Sequence, residues 1–444
     1  MRFLKTLRWI WDGKTGISAT IQTFVTQILI LVVTLVTGVM TARFLGSVGR
    51  GEQAAILLWP EFLGYAFALG VGPALLFHLR DSPEEGSELF SAAVTLATIF
   101  GAIATIVGVI FIPQWLSQYT ESTIKVAQGF MITAPLSLLS LILLNAYRAQ
   151  HDFSTVNKTN YLMPFVTLLL LVALGGLGLF TPVSSSLAYR VPVVVITLWR
   201  LNEQWKHYRP NFKKFRSSCR KILSYSTRSA GINILNQVAA RVDQAMVISL
   251  LSPSAMGIYI VSLNLSRMVE PFNRSILSVL FPKVAARPPK EVVDLTSRAA
   301  RISGFTTALA VVAAAVVAPF VLTGLYGAEF AQGVNAFRIL AVRMVFEGVT
   351  MVLAQAFMAL DKPGTVAILQ GVGLGTTVPL MLFLIPWLGL VGASYALLIS
   401  TVIRLIFIMV CFPMLLKLPM PNLLIQSRDI VFLKNSMLNR KTAS

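Results

Sequence analysis

The sequence predicts an all-α integral membrane protein with about twelve transmembrane helices in two six-helix bundles. Of its 444 residues, 56% are hydrophobic and only 12% are charged, against about 25% charged in an average soluble chain. Long uninterrupted apolar runs, such as residues 28–40 and 308–322, differ from the alternating segments of about ten residues that form membrane β-barrels. Because backbone polar groups must be paired within the bilayer, such runs indicate helices.

The predicted helices follow from segments of about 20 mostly apolar residues, the length that crosses a bilayer. The first six cover residues 18–45, 51–79, 88–112, 122–148, 154–180 and 183–204. The second six cover residues 222–251, 254–283, 297–323, 329–359, 363–385 and 389–416. The prediction therefore divides the chain into a basic lead-in (1–17), an N-terminal bundle (18–204), a basic cytoplasmic linker (205–221), a C-terminal bundle (222–416) and a basic cytoplasmic tail (417–444).

The net charge of +19, from 37 Lys and Arg against 18 Asp and Glu, would suggest nucleic-acid binding in a soluble protein. Here the cations concentrate in alternate connections, above all in residues 205–221 and 417–444, whereas the connections around Ser117, Thr181 and Ser252 hold almost none. Basic residues mark cytoplasmic loops. We therefore expect both termini in the cytoplasm and no nucleic-acid partner.

Charged residues inside spans are costly and usually face protein or water, so they indicate functional sites. The predicted substrate-contacting residues are Arg241, Asn264, Arg267, Arg274, Arg343 and Arg404. The predicted charge-pairing or coupling residues are Glu61, Asp243, Glu270 and Glu347. In a regular helix Asn264, Arg267, Glu270 and Arg274 lie on one face and form a polar stripe. Arg343 and Glu347 are spaced to pair at i, i+4. Arg404 is alone on its helix and needs a partner elsewhere.

An excess of arginine indicates the chemistry of the site. A guanidinium offers a planar fork of donors that suits phosphate oxygens and stays charged. We therefore expect a hydrated, cationic cavity between the two halves that takes an anionic substrate group. The alternative is that these residues form buried ion pairs that only fix helix packing, and that Arg241 and Asp243 snorkel at a helix end.

Other motifs do not support catalysis. Gly13-Lys14-Thr15 is similar to the end of a P-loop, but Arg8 stands where the first glycine is required. The glycines at 371, 373 and 375 lack a strand–turn–helix context and indicate close helix packing. The three histidines and two cysteines have no metal-ligand spacing. We therefore expect a transporter without catalytic, cofactor or metal sites.

Three segments carry a resemblance to a known family. They are residues 42–46 (ARFLG), residues 241–259 continuing to 280–284 (RVDQ to GIY, then LFPKV), and residues 359–364 with 385–393 (ALDKPG, IPWLGLVGA). With the six-plus-six layout, which covers nearly the whole chain, the sequence resembles the multidrug/oligosaccharidyl-lipid/polysaccharide (MOP) exporter superfamily. The resemblance is greatest to its polysaccharide-export branch, the O-antigen-type lipid-linked oligosaccharide flippases.

The resemblance implies a MATE-like, V-shaped pair of bundles in the bacterial inner membrane. It implies a flippase that moves an undecaprenyl-pyrophosphate-linked oligosaccharide to the outer leaflet by alternating access, for cell-surface polysaccharide biosynthesis. Its partners would be the lipid-linked glycan, membrane lipid, a polysaccharide polymerase and glycosyltransferases. By motif position Arg267 matches an arginine of the related lipid II flippases, but Glu61 lies in a segment where those proteins carry arginine, which favours a different glycan.

Two other functions remain open at the level of sequence. A cation-coupled multidrug exporter of the same superfamily would need an acid-dominated cavity, which the arginine excess disfavours. A membrane-embedded glycosyltransferase or ligase would need an acidic catalytic site and a long outer loop, and the predicted outer loops are short.

Overall fold

The computed structural model describes residues 16–424 apart from 271–272, 274–276, 278–279, 281–283 and 285–286, and the side chains of these residues outside 16–28 and 228–233. Throughout this part of the chain the regular structure is helical, which confirms the all-α prediction. The chain divides into two compact units, Met1–Ile234 (unit 1) and Leu235–Ser444 (unit 2). The division falls within a helix.

The helices of unit 1 are α1 (Gly16–Ala66), α2 (Val71–Asp81), α3 (Gly86–Trp115), α4 (Glu121–Phe130), α5 (Ala134–Ala149), α6 (Phe153–Gly176), α7 (Pro182–Tyr208) and most of α8 (Phe215–Ala239). The helices of unit 2 are the end of α8, then α9 (Val242–Leu250), α10 (Pro253–Ser266), α11 (Pro289–Val321), α12 (Val334–Ala359) and α13 (Pro363–Cys411). Short 3₁₀ or π turns extend several of them, among them Arg267–Val269 after α10.

Seven helical segments in the described part of the chain are long and apolar enough to span a membrane. Two of them, Leu29–Ala66 and Pro363–Leu416, are 38 and 54 residues long, well beyond the roughly 20 residues of one span. Each is interrupted at a glycine with a positive φ, Gly46 at 65° and Gly389 at 56°. Residues with a Cβ rarely adopt this conformation, so these glycines divide each segment near the predicted boundaries.

Side-chain caps begin several helices. Thr120, Asp152 and Ser252 each accept a hydrogen bond from the backbone N–H three residues later. Thr181 and Ser184 form a reciprocal capping box at the start of α7. Such caps satisfy donors that a helix leaves unpaired in its first turn, and they fix the short connections between neighbouring helices.

Apolar side chains lie both inside and outside each unit. The core of unit 1 joins α2, α3 and α5 through residues such as Leu75, Phe90 and Leu143. The core of unit 2 joins α11, α12 and α13, with Phe357 and Phe412 fully buried. Large apolar side chains also cover the outer surface, among them Ile106, Ile110, Val312, Val316 and Phe320. An apolar exterior is expected when the solvent is lipid.

Two predicted helices are interrupted where the sequence indicated continuous helix. The predicted helix 222–251 is interrupted between Ala239 and Val242, and Asp243 lies in the first turn of α9, where a carboxylate interacts favourably with the helix dipole. The predicted helix 254–283 leaves α-geometry at Arg267. Pro271 has no N–H for the carbonyl of Arg267, and a proline ring clashes with the carbonyl four residues before it.

Candidate functional site

A buried cluster of charges in unit 2 surrounds Glu347 on α12. The Nη1 of Arg404 donates to both Glu347 carboxylate oxygens, at 3.1 and 3.3 Å. The Nη2 of Arg343 lies 3.7 Å from Oε2 of the same carboxylate. All three side chains are at most 14% exposed. Two cations therefore share one anion, and we call Arg343, Glu347 and Arg404 the Glu347 cluster.

Neighbouring helices position the two guanidinium groups. Arg343 and Glu347 lie one turn apart on α12, and the Nε of Arg343 donates to Oγ1 of Thr401 at 3.1 Å. The Nη2 of Arg404 donates to Oε1 of Gln370 at 3.3 Å. Arg404 also lies directly against Gly373, where an added Cβ would come within 2.7 Å of the arginine Cδ. The first half of α13 thereby holds Arg404 against Glu347.

The donors of the cluster are not all used. The Nε of Arg404 is buried and has no hydrogen-bond partner among the described residues. A buried donor without a partner costs about 1–3 kcal/mol. The Glu347 cluster therefore keeps an excess positive charge and spare donor capacity, which suits an additional oxyanion.

A second buried carboxylate lies in the same unit. Asp243 is 3% exposed, and its Oδ2 accepts a hydrogen bond from the hydroxyl of Tyr259 at 2.8 Å. Its Oδ1 is buried without a partner in the described part of the chain. Arg343 and Arg267 both act electrostatically on Tyr259, and Arg267 also acts on Glu347. Unit 2 thus places five of the predicted residues in one electrostatic neighbourhood, which are Asp243, Arg267, Arg343, Glu347 and Arg404.

The remaining predicted residues of unit 2 lie near the ends of α9 and α10. Arg267 is half-buried in the 3₁₀ turn after α10, and its side chain makes no hydrogen bond or ion pair to another described residue. Asn264 and Glu270 are half-buried on either side of that turn, and Arg241 is half-buried at the start of α9. Side chains three residues apart eclipse one another in a 3₁₀ turn, so Arg267 and Glu270 stay on one side of the chain. The predicted stripe of Asn264, Arg267, Glu270 and Arg274 stays a prediction. Arg274 lies outside the described residues.

In unit 1, Glu61 on α1 pairs with Arg190 on α7. The Nη1 of Arg190 lies 3.3 Å from Oε1 of Glu61, and its Nη2 donates to the carbonyl of Leu57 at 3.1 Å. The arginine side chain is 4% exposed and the glutamate side chain is 29% exposed. Arg190 was not among the predicted site residues, although an arginine within the predicted span 183–204 was enough to indicate a buried charge. Glu61 therefore belongs to an ion pair within unit 1.

Arg190 belongs to a longer polar stripe along α7. The stripe consists of buried residues spaced three, four or seven apart, which are Ser186, Arg190, Thr197, Arg200 and Gln204. From the first to the last it extends about 27 Å at 1.5 Å per residue, close to the thickness of a bilayer core. Other polar residues, such as Asn202 and Glu203, stand between its members and are exposed, so the sequence did not reveal this pattern, which we call the α7 polar stripe.

The last two members of the α7 polar stripe, Arg200 and Gln204, lie next to the C-terminal end of α5. The guanidinium of Arg200 lies 5.8 Å from the ring centroid of Tyr147, whose hydroxyl donates to Glu203 at 2.6 Å. The Nε2 of Gln150, just after α5, donates to Oε1 of Gln204 at 2.7 Å. The Nε and Nη2 of Arg200 have no hydrogen-bond partner among the residues described. Arg200 is thus a second buried cation that sequence patterns did not identify.

No group of three or more His, Cys, Asp or Glu side chains within the described residues is arranged to hold a metal ion. The buried charged side chains among these residues are three arginines, Arg50, Arg190 and Arg200, and two carboxylates, Asp243 and Glu347.

The fold and its buried charges define a class, the polytopic α-helical membrane proteins whose bundles enclose charged side chains. A family model described as "Polysaccharide biosynthesis protein" matches residues 39–335, more than half of the chain. The chain belongs to this polysaccharide biosynthesis protein family. Comparison with curated protein sequences finds no significant match.

Solved structures of similar fold come from the MOP superfamily. The lipid II flippase MurJ, in an inward closed conformation, has a TM-score of 0.74 at 13% identity, covering 87% of this chain and 86% of its own. An inward-facing multidrug resistance MATE family transporter has a TM-score of 0.71 at 16% identity, covering 87% and 95%. These similarities confirm the MATE-like fold, and the family model supports the resemblance to the polysaccharide-export branch.

A third structure of this fold is a MOP superfamily transporter from Pyrococcus furiosus, in which reverse polarity of the binding pocket suggests a different function. Its TM-score is 0.61 at 16% identity, covering 89% of this chain and 95% of its own. One fold thus accommodates pockets of different polarity, and the substrate of this chain has to be inferred from its own residues.

Proposed function

We propose that this protein is a flippase that moves an undecaprenyl-pyrophosphate-linked oligosaccharide from the inner to the outer leaflet of the bacterial inner membrane. The glycan serves cell-surface polysaccharide biosynthesis, transport proceeds by alternating access, and both termini are cytoplasmic. Membership of a polysaccharide biosynthesis family supports the glycan substrate. The likeness in fold to a lipid II flippase supports transport of a lipid-linked molecule.

The observation that carries the proposal is the surplus of guanidinium groups in unit 2. Three arginines, Arg267, Arg343 and Arg404, share one electrostatic neighbourhood with two carboxylates, Glu347 and Asp243. Burial of uncompensated positive charge in a membrane is costly. A pyrophosphate offers the matching negative charge and oxygens that accept from arginine forks. The positive surplus therefore favours a substrate with a phosphate-bearing headgroup.

The proposal assigns two roles. Arg241, Asn264, Arg267, Arg274, Arg343 and Arg404 contact the headgroup. Asp243, Glu270 and Glu347 balance these cations or couple transport to a cation, and Glu61, which pairs with Arg190, has the coupling role. The surplus of arginine disfavours a multidrug exporter of cationic compounds, because such compounds would be repelled.

The proposal is tested by replacing Arg267 with alanine in cells that depend on the protein for surface glycan. Arg267→Ala should abolish export while the protein remains in the membrane, because this cation has no ion-pair partner in the described structure to lose. Arg338→Ala is the matched control, since Arg338 is an exposed arginine of the same unit. Surface glycan at the wild-type level from well-expressed Arg267→Ala would remove the assignment.

A further inference from the structure

Unit 1 contains a pocket of about 490 Å³ that is separate from every residue assigned above. It is lined by Pro73, Leu76, Phe77, Arg80, Asp81 and Tyr225. The first four of these recur at i, i+3, i+4 and i+7 and therefore share one face of α2. Its volume lies within the range of about 300–1,000 Å³ that is usual for small-molecule sites.

Aromatic rings form one wall of the pocket. Phe77 stacks on Tyr225 of α8 with ring centroids 4.8 Å apart and an interplanar angle of 23°. The ring of His78 meets both edge to face, at 5.2 and 5.8 Å, and so fixes their orientation. Phe77 nevertheless remains 47% exposed. Ring contacts thus fix Phe77 in an orientation that leaves part of its surface exposed at this end of α2.

Opposite charges border the aromatic wall. Arg80 and Asp81 are adjacent in sequence and both are exposed. The Nη2 of Arg80 donates to the carbonyl of Arg148 at 2.8 Å, which anchors the guanidinium at the rim. A donor and an acceptor therefore lie side by side next to an apolar ring.

We propose that this pocket binds a sugar ring of the transported glycan. One face of a pyranose carries C–H groups that pack against the negative face of an aromatic ring, and its hydroxyls both donate and accept hydrogen bonds. Arg80 supplies the donor and Asp81 the acceptor. Because Asp81 offsets the charge of Arg80, the pocket offers a phosphate no net positive charge, and an acyl chain has no group that could hydrogen-bond to either residue.

The inference rests on the proposed flippase function and adds a recognition site for the glycan, distinct in position and chemistry from the arginines of unit 2. The test compares two probes on full-length protein in lipid nanodiscs. One probe is the undecaprenyl-pyrophosphate-linked oligosaccharide extracted from cells that use the protein, and the other is undecaprenyl pyrophosphate without sugar.

Phe77→Ala should weaken binding of the sugar-bearing probe about three- to tenfold and leave the sugar-free probe unchanged. Phe77→Trp, which keeps an aromatic face, should restore binding. Asp81→Asn should also weaken the sugar-bearing probe alone. The matched control is Phe153→Ala, which removes an aromatic ring that is 53% exposed and lies outside the pocket.

Equal weakening of both probes by Phe77→Ala, or no weakening of either, would overturn the sugar site while leaving the flippase proposal intact. Wild-type protein that binds neither probe would overturn the flippase proposal itself.

Discussion

At the scale of single residues, Glu347 determines how two arginines are held inside unit 2. The i, i+4 spacing predicted its contact with Arg343, and that contact is present at 3.7 Å. The shorter contact with Arg404 comes from a residue 57 positions away. Sequence periodicity describes one helix at a time, so it could indicate that Arg404 needs a partner but not which partner.

Removal of the shared anion tests this arrangement. Glu347→Ala should lower the free energy of unfolding by about 3–5 kcal/mol, because it leaves buried cations without compensation. Glu121→Ala is the matched control, since its pair with Lys125 has side chains 70–81% exposed and such pairs contribute about 0–1 kcal/mol. Thermal unfolding of the purified variants in detergent measures both. Equal melting temperatures would contradict the buried ion cluster.

A substitution at Gly373 tests whether the position of Arg404 matters for transport, because it leaves every charge unchanged. Gly373→Ala should displace Arg404 from Glu347 and reduce glycan export severalfold, because the new Cβ would lie 2.7 Å from the arginine Cδ. Gly375→Ala, two residues away, has no atom within 4 Å of its new Cβ and should export normally. Quantified surface glycan at matched protein levels distinguishes the two. Similar export by both variants would show that the placement of Arg404 is not needed for transport.

At the scale of helices, the α7 polar stripe is the feature that the sequence analysis missed. Exposed polar residues such as Asn202 and Glu203 stand between its members, so only the common burial of the members reveals the shared face. Which face of a helix is buried depends on tertiary packing, which a single sequence does not encode locally.

Substitutions of the two arginines in the α7 polar stripe should change the melting temperature in opposite directions. Arg200→Met should raise the melting temperature by a few degrees, because two buried nitrogen donors without described partners are removed and each costs about 1–3 kcal/mol. Arg190→Met should instead lower it, because the ion pair between Arg190 and Glu61 would be lost. Differential scanning calorimetry in detergent gives the comparison. A lower melting temperature for Arg200→Met would mean that this guanidinium stabilises the fold.

At the scale of the whole molecule, composition was sufficient to predict the fold class. Few charges and long apolar runs indicate a chain in lipid, where helices pair the hydrogen-bonding groups of the backbone. The similar solved structures confirm the MATE-like fold. The glycine breaks in α1 and α13 lie close to the predicted helix ends. The pairing of Glu61 with Arg190 and the sugar pocket depend on contacts between distant segments, so the sequence alone could not supply them.

The orientation of the chain in the membrane remains a prediction that chemical labelling can check. Lys213→Cys and Ser117→Cys place single thiols at exposed positions once Cys219 and Cys411 are replaced by serine. With cytoplasmic termini, an impermeant maleimide should label Ser117→Cys in intact spheroplasts and Lys213→Cys only after lysis. The reverse pattern would invert the topology.

The central claim is that the arginine surplus of unit 2 recognises a phosphate-bearing lipid headgroup. The most direct measurement is the rate at which purified protein in proteoliposomes translocates two lipids that carry the same glycan and polyprenyl chain, one joined through pyrophosphate and the other through an uncharged linker. The account predicts rapid translocation of the pyrophosphate-linked lipid and background rates for the uncharged one. Equal rates for the two lipids would contradict it.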